Sequence, residues 1–270
     1  MIIQKLVWSL CIVILTFSSA RAGEFDHHQW DGLLKNYVVS NNGGISTEVD
    51  YWGMQKDHKL LKDYLRALSS VTKKQFDVWD TEEQLAFLIN AYNAWTIELI
   101  LTKWPDLESI KDLGHFLRSP WSREFVDLFG QTYSLDDLEH SLIRGSGRYN
   151  DPRIHFAVNC ASIGCPALRA EAYESKSINQ QLNEQTRLFL SDTTRNYVNE
   201  DSIHLSSIFK WYKEDFQRGW LGYERLEDFL VDYKEALNLS DDMQKRLKSG
   251  GVKIRYLDYD WGINGLTHKQ

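Results

Sequence analysis

The most informative part of the chain is the stretch Asp151-Pro-Arg-Ile-His-Phe-Ala-Val-Asn-Cys-Ala-Ser-Ile-Gly-Cys-Pro166. Residues 154–159 are β-branched and aromatic, follow Asp-Pro and precede a turn-forming Gly and Pro, which predicts a buried strand that ends in a sharp turn. Cys160 then stands at the junction of strand and turn, where a thiol can face a cleft. We therefore expect any chemistry in this protein to involve Cys160.

The start of the chain, residues 1–22, is typical of a secretory signal peptide. One lysine, Lys5, precedes an apolar run over residues 6–17, and Ala20-Arg21-Ala22 offers a small-residue cleavage site. The apolar run is short for a membrane span, so we expect no membrane insertion of the mature chain. These features predict an exported protein, periplasmic or secreted.

Composition narrows the range of partners. Cleavage would remove two basic residues and no acidic ones, which takes the formal net charge from −7 to about −9. Such a surface repels nucleic acid and anionic lipid, so we expect no nucleic-acid partner. The remaining length allows one large core. We predict a helical N-terminal arm over residues 23–80 and a single domain over residues 81–264.

The pattern of elements predicts an α+β fold with N-terminal helices and an antiparallel sheet. Helices are expected at 27–37, 56–68, 82–103, 135–144, 178–190, 207–216 and 224–237; hairpins are expected around Gly130 and across 196–205, and a last strand at 252–256. The helix over 82–103 is apolar almost all round and should run through the core. Asn90 and Asn93 interrupt it, so we expect both amides to be buried and hydrogen-bonded.

Six blocks of sequence together resemble a known family, catalogued as domain of unknown function 547. The blocks are Phe87-Leu-Ile-Asn-Ala-Tyr-Asn-Ala94, Ser134-Leu-Asp-Asp-Leu-Glu-His140, Asp151 to Cys160, Ser162-Ile-Gly-Cys-Pro-Ala-Leu168, Ile208-Phe-Lys-Trp-Tyr212 with Asp215-Phe216, and Tyr259-Asp-Trp261. The resemblance implies a distant relation to papain-like thiol hydrolases and transglutaminases, and hence a papain-like or transglutaminase-like arrangement. The resemblance implies candidate functional residues at the positions that match the family blocks: Asn90, Asn93, Glu139, His140, His155, Cys160 and Cys165.

Two histidines compete to activate Cys160, since a thiol nucleophile needs a nearby imidazole or another cation. His155 lies five residues before Cys160, so on an ideal strand the two side chains point to opposite faces. His140 lies on the preceding helix and is the preferred general base. The candidates to orient it are Asp136 and Asp137, which lie one helical turn before His140, and Asn93, in the manner of a thiol protease. Glu139 is expected to line the same cleft.

The even number of cysteines left after cleavage favours a second hypothesis, a Cys160–Cys165 disulfide. Along a strand the two Cα atoms would lie about 16 Å apart, so the intervening residues must fold back before a bridge can form. We expect Cys160 to be a free thiol in the active form, with the disulfide as the alternative.

Two further hypotheses remain open. Zinc ligation by His140, His155, Cys160 and Cys165 does not match the paired spacing of structural zinc sites, so no metal and no other cofactor is expected. Glycan binding is suggested by a set of tryptophans: Trp52, Trp104, Trp121, Trp211, Trp220 and Trp261.

The sequence thus favours an exported thiol-dependent hydrolase or acyl transferase acting on a peptide or amide substrate, with a peptide or protein as the expected partner. In that mechanism Cys160 attacks a carbonyl, His140 moves the proton, and backbone N–H groups of residues 161–164 stabilise the oxyanion. The alternative is a non-catalytic periplasmic domain that binds a peptide or a glycan or serves assembly.

Overall fold

The structure, a computed structural model, describes residues 24–114 and 119–266. The expected signal peptide lies outside these residues. Helical segments dominate, and the strands form small sheets, which confirms the α+β class. In the part of the chain that is described, no helix combines the length and apolarity needed to cross a membrane.

The N-terminal part is a set of short helices around one hairpin. The helices are α1 (His28–Tyr37), α2 (Tyr51–Lys56), α3 (His58–Ser70) and α4 (Lys73–Phe76). Strands β1 (Val38–Asn41) and β2 (Ser46–Val49) pair antiparallel across a tight turn, in which Gly43 has φ of 70°. Residues 42–44 therefore form the end of a hairpin.

Helix α5 (Thr81–Leu101) is buried along nearly its whole length and runs through the larger of two hydrophobic clusters, as its sequence predicts. Asn90 and Asn93 are 0% and 2% exposed, and both make hydrogen bonds. The expectation for these two amides is confirmed. Strands β3 (Val126–Leu128) and β4 (Gln131–Tyr133) form the predicted hairpin around Gly130.

The segment after this hairpin is a π-helix, Asp137–Ile143, preceded by one helical turn. Ser134 Oγ accepts a hydrogen bond from the Asp137 backbone N–H at 3.1 Å, and Asp137 Oδ2 accepts one from the Ser134 N–H at 2.9 Å. This reciprocal pair satisfies two donors at the start of the helix. π-Helical segments are rare and are frequently found at functional sites.

The predicted strand over residues 154–159 is wrong. Pro152–Phe156 is a 3₁₀-helix instead, with Asp151 as its cap: the Asp151 carboxylate accepts from the Arg153 backbone N–H at 2.9 Å and from the Arg153 guanidinium. Proline at the first helical position pre-sets the backbone angle for a helix. The capped Asp-Pro start therefore outweighs the β-branched residues that follow it.

The C-terminal part consists of α6 (Ile178–Ser191), α7 (Ile208–Trp211), α8 (Leu226–Asp232) and α9 (Asp241–Lys248), with strands β5 (Tyr197–Val198), β6 (Ser202–Leu205) and β7 (Lys253–Tyr256). The β5–β6 pair is antiparallel, but β6 and β7 are parallel. The sheets are thus antiparallel except at this last pair. The second hydrophobic cluster lies here and contains Phe156 together with Phe189, Phe209, Phe216 and Phe229.

The 3₁₀-helix Pro152–Phe156 bridges the two clusters, because Ile154 belongs to the first and Phe156 to the second. His155 lies between them in sequence and is therefore fixed by packing on both sides. This packing determines where the imidazole of His155 lies.

Candidate active site

A cavity of about 210 Å³ contains the side chains that the sequence singled out, with contributions from Glu139, His140, His155, Cys160 and Cys165. The 3₁₀-helix and the π-helix supply the polar groups. Aromatic side chains from the C-terminal part supply much of the wall, including Trp211, Tyr212, Tyr259 and Trp261. Glu139 therefore lines the same cleft as the two cysteines, as expected from the sequence.

The structure joins Cys160 and Cys165 in a disulfide, with Cα atoms 6.2 Å apart. This separation lies within the range that a bridge requires. The chain folds back between them: Ala161 has φ of 61°, and the Cys165 N–H donates to the Ser162 carbonyl at 3.1 Å. The expected free Cys160 thiol is thus not what this form of the protein contains.

Polar groups surround the two sulfurs. The Tyr259 hydroxyl lies 3.2 Å from each Sγ, and the Cys160 backbone N–H donates to Cys165 Sγ at 2.9 Å. Burial raises the pKa of Tyr259, so its hydroxyl keeps its proton at neutral pH. Cys160 is half-buried, whereas Cys165 is buried. Of the two sulfurs, Cys160 is thus the more accessible from the cleft.

His155 and Asp215 form a buried pair, with 2.7 Å between His155 Nε2 and Asp215 Oδ2. Burial by itself would raise the pKa of Asp215, but the hydrogen bonds from His155 and Arg144 outweigh it and lower that pKa to about 2. An ionised carboxylate only accepts hydrogen bonds, so Nε2 carries the proton and Nδ1 has a free lone pair. Burial lowers the pKa of His155, which keeps the ring neutral.

His155 Nδ1 is buried and has no hydrogen-bond partner among the described residues. The ring stacks on Tyr212, with centroids 3.9 Å apart and planes 21° apart, so packing as well as Asp215 fixes its orientation. A neutral imidazole with one nitrogen held by a carboxylate and the other without a partner is an arrangement that suits a general base. On a strand, His155 and Cys160 would point to opposite faces. Because this segment is not a strand, that objection to His155 as the base does not apply.

Asp215 is also held by two arginines. Arg144 donates from Nε at 2.6 Å and from Nη2 at 3.1 Å, and Arg218 Nη2 lies at 2.8 Å. The carboxylate is fully buried, and these contacts compensate its charge. Asp215 was not singled out for a role from the sequence, although it stands in one of the blocks that carry the family resemblance.

His140 is less suited to be the base. Its side chain is 43% exposed, and Nδ1 lies 3.0 Å from Arg144 Nη1. A guanidinium can only donate, so Nδ1 must accept and the ring proton is on Nε2. The geometry therefore favours His155 over His140.

Asn93 holds the chain just before Cys160. Its Nδ2 donates to the Ala157 carbonyl at 3.0 Å, and its Oδ1 accepts from the Asn159 N–H at 2.8 Å. It anchors this loop to α5, whereas Asp215 is the group that orients an imidazole.

Glu139 is only 8% exposed, and its Oε1 has no hydrogen-bond partner among the described residues. The pKa values of Tyr92 and Tyr212 are raised by burial first and by the charge of Glu139 second. Burial also raises the pKa of Asp136, which lines the same cleft. This side of the cleft is therefore acidic.

The proposed oxyanion donors are largely committed elsewhere. The N–H groups of Ala161, Ile163 and Gly164 donate to Asn159 Oδ1, the Gly262 carbonyl and the Asp260 carbonyl, each at 2.8 Å. The expectation that the 161–164 turn provides the oxyanion hole is therefore wrong for these three groups. In the described ranges, no group of three or more histidine, cysteine, aspartate or glutamate side chains is arranged to hold a metal ion.

Residues 76–190 match the model of the family described as "Protein of unknown function, DUF547". The match confirms the resemblance to this family over these residues. No curated protein and no solved structure matches the chain. The matched segment contains Glu139, His155 and both cysteines, while Asp215 and the aromatic wall lie beyond it. The papain-like arrangement remains a prediction.

Proposed function

We propose that the protein is an exported thiol-dependent hydrolase or acyl transferase acting on a peptide or protein substrate, with Cys160 as nucleophile, His155 as general base and Asp215 as the residue that orients His155. One observation carries the proposal: an imidazole held by a buried carboxylate presents an unpartnered nitrogen in the same cleft as Cys160. Periplasmic or secreted location rests on residues 1–22.

The disulfide must be reduced before Cys160 can act. A dithiol donor, such as a reduced protein disulfide carrier, supplies two electrons and two protons: its own sulfurs become a disulfide, and Cys160 and Cys165 become thiols. In the disulfide form the Cys160 backbone N–H donates to the Cys165 sulfur at 2.9 Å. The disulfide form is then a masked state of the nucleophile.

In the reaction, His155 Nδ1 takes the proton of the Cys160 thiol, and the sulfur attacks the substrate carbonyl carbon. The carbonyl oxygen becomes an oxyanion, for which the candidate donors are the Cys160 N–H and the hydroxyls of Tyr259 and Ser162, each 3.2 Å from Cys160 Sγ. The imidazolium returns its proton to the leaving amine as the C–N bond breaks. Water or an acceptor amine then releases the acyl group from the thioester.

The test is the alkylation rate of each cysteine after reduction, followed by peptide mapping. We expect iodoacetamide to modify Cys160 faster than Cys165 at pH 7, because a neighbouring imidazole raises the thiolate fraction. His155→Gln should slow labelling of Cys160 by about tenfold, the effect of a rise of one pKa unit in the thiol.

His140→Gln is the matched control and should change the rate little. Circular dichroism checks that both variants fold. The pH profile of labelling in the parent protein tests, without a substitution, whether the thiolate fraction of Cys160 is raised. Equal rates at both cysteines, unaffected by His155→Gln, would remove the enzyme proposal.

A second candidate, a non-catalytic domain that binds a peptide or a glycan or serves assembly, is favoured by the disulfide itself, which blocks the sulfur. The tryptophans of the glycan hypothesis divide into separate groups. Trp121, Trp211 and Trp261 line the cleft, Trp52 packs against Trp104, and Trp220 is buried. Ligand binding that needs neither reduction nor Cys160 would support this candidate.

A further inference from the structure

The Glu139 carboxylate is compensated only in part, by interactions with the hydroxyls of Tyr92 and Tyr212. Its Oε1 is buried and unpartnered, and the nearest positively chargeable group described is His140 Nδ1 at 4.0 Å. That nitrogen already accepts from Arg144, so it carries no proton to offer. Arg144 itself is directed to Asp215. A buried carboxylate oxygen without a donor is costly, and a ligand that supplies a donor would remove the cost.

The charge around Glu139 also favours a positively charged ligand. Asp136 lines the cleft at the preceding turn, and no lysine or arginine of the described chain is among the lining residues. The lining therefore contains two carboxylates, while the nearby cations Arg144 and Lys111 lie against the rings of Tyr212 and Trp261. A neutral ligand would leave Glu139 Oε1 without a positive partner, and an anionic one would be repelled.

The aromatic wall is also suited to a positive group. Trp211 and Tyr259 line the same cavity as Glu139, and the face of an aromatic ring attracts a cation. The adjacent Trp261 shows this directly, since Lys111 Nζ lies 3.7 Å above its ring centroid. The cavity volume of about 210 Å³ is below the range of about 300–1,000 Å³ for drug-sized ligands, so it fits one side chain.

From these observations we infer that the cleft is a specificity site for an alkylammonium group, such as a lysine side chain of a peptide, with Glu139 as its carboxylate partner. The inference rests on the proposed function, because the ammonium group defines a substrate class only if Cys160 is the nucleophile. The binding site itself does not require the sulfur to react.

The experiment measures binding of two probes by calorimetry, Nα-acetyl-lysine methylamide and Nα-acetyl-norleucine methylamide, which share the alkyl chain but differ in the ammonium group. Protein with the disulfide intact and the Cys160→Ser variant are both used, so that turnover does not intervene. We expect the lysine probe to bind at least about tenfold more tightly, and its affinity to fall with added salt.

Glu139→Gln, which preserves shape and removes the charge, should lose about tenfold in affinity for the lysine probe and leave the norleucine probe unchanged. Glu235→Gln is the matched control, because Glu235 is 79% exposed and is not among the residues lining the cleft. Circular dichroism verifies the fold of each variant.

Equal affinity for the two probes, no effect of Glu139→Gln, or no binding of the lysine probe would each overturn the inference. These outcomes are separate from those for the thiol. Ammonium binding without a reactive Cys160 would keep the site but assign it to a binding domain. A reactive Cys160 without ammonium binding would keep the enzyme and remove this specificity.

Discussion

At the scale of single residues, the side chains singled out from the sequence line one cleft, including Glu139, His155 and Cys160. The imidazole that pairs with a buried carboxylate is that of His155, not the preferred His140. The preference for His140 came from treating residues 154–159 as a strand with alternating faces. Once Asp151 and Pro152 start a 3₁₀-helix, that alternation disappears, and the imidazole is free to meet Asp215.

Asn93 offers a direct test at this scale. Asn93→Ala removes both hydrogen bonds that hold the loop before Cys160 and should lower the free energy of unfolding by about 1–3 kcal/mol. Urea denaturation measures this change. The same substitution should also alter the alkylation rate of reduced Cys160, because the loop loses its anchor.

Asn90→Ala is the control for the Asn93 test. Asn90 makes an equivalent pair of bonds to the backbone of Tyr173, at 2.8 and 2.9 Å, and Asn90 is not among the residues lining the cleft. It should cost similar stability and leave Cys160 reactivity unchanged. If both variants changed reactivity equally, the loop-anchoring role of Asn93 would be unsupported.

At the scale of elements, the N-terminal helices are attached to α5 by buried aromatic contacts with one titratable group among them. His27 is 5% exposed, its Nδ1 lies 2.7 Å from the Tyr64 hydroxyl, and its ring packs against Phe25 and Phe87. Burial lowers the pKa of His27 to about 4, with a smaller opposing effect from Asp26. The folded protein therefore holds this ring neutral.

This burial predicts acid sensitivity. The unfolded chain binds a proton at His27 near pH 6.5 but the folded chain only near pH 4, so the stabilisation is complete above pH 6.5 and is lost as pH falls towards 4. The pKa difference corresponds to about 3 kcal/mol. The measurement is urea denaturation between pH 7 and pH 4 for the parent and for His27→Gln, whose amide can still accept from Tyr64.

The parent should lose stability relative to His27→Gln as pH falls, and comparing the two cancels the contributions of the other titrating groups. His28→Gln, at the exposed neighbouring position, is the control and should follow the parent. Parallel pH profiles for the parent and His27→Gln would contradict the assignment.

At the scale of the whole molecule, the family segment and the site do not coincide. The match covers residues 76–190, yet Asp215, Tyr212 and Tyr259 follow it in the chain. Phe156 and Phe189 within the segment pack against Phe209 and Phe229 beyond it. The packed unit is thus larger than the matched segment.

A fragment of residues 76–190 should therefore fail to fold cooperatively, because it exposes part of both hydrophobic clusters. Residues 24–266 are the control and should give a sharp thermal transition with a strong near-ultraviolet circular dichroism signal. A fragment with the same sharp transition would show that the C-terminal part is dispensable for folding, and would leave only the site dependent on it.

The sequence by itself determined the course of α5 and α6, the hairpin around Gly130, the burial of Asn90 and Asn93, and the family. Periodicity and turn chemistry act over a few residues, so they can be read locally. Only the tertiary structure decided that Asp215, 60 residues from His155, orients it, and that the chain folds back to join Cys160 to Cys165. Those contacts depend on how two hydrophobic clusters close around one short 3₁₀-helix, and no local pattern contains that information.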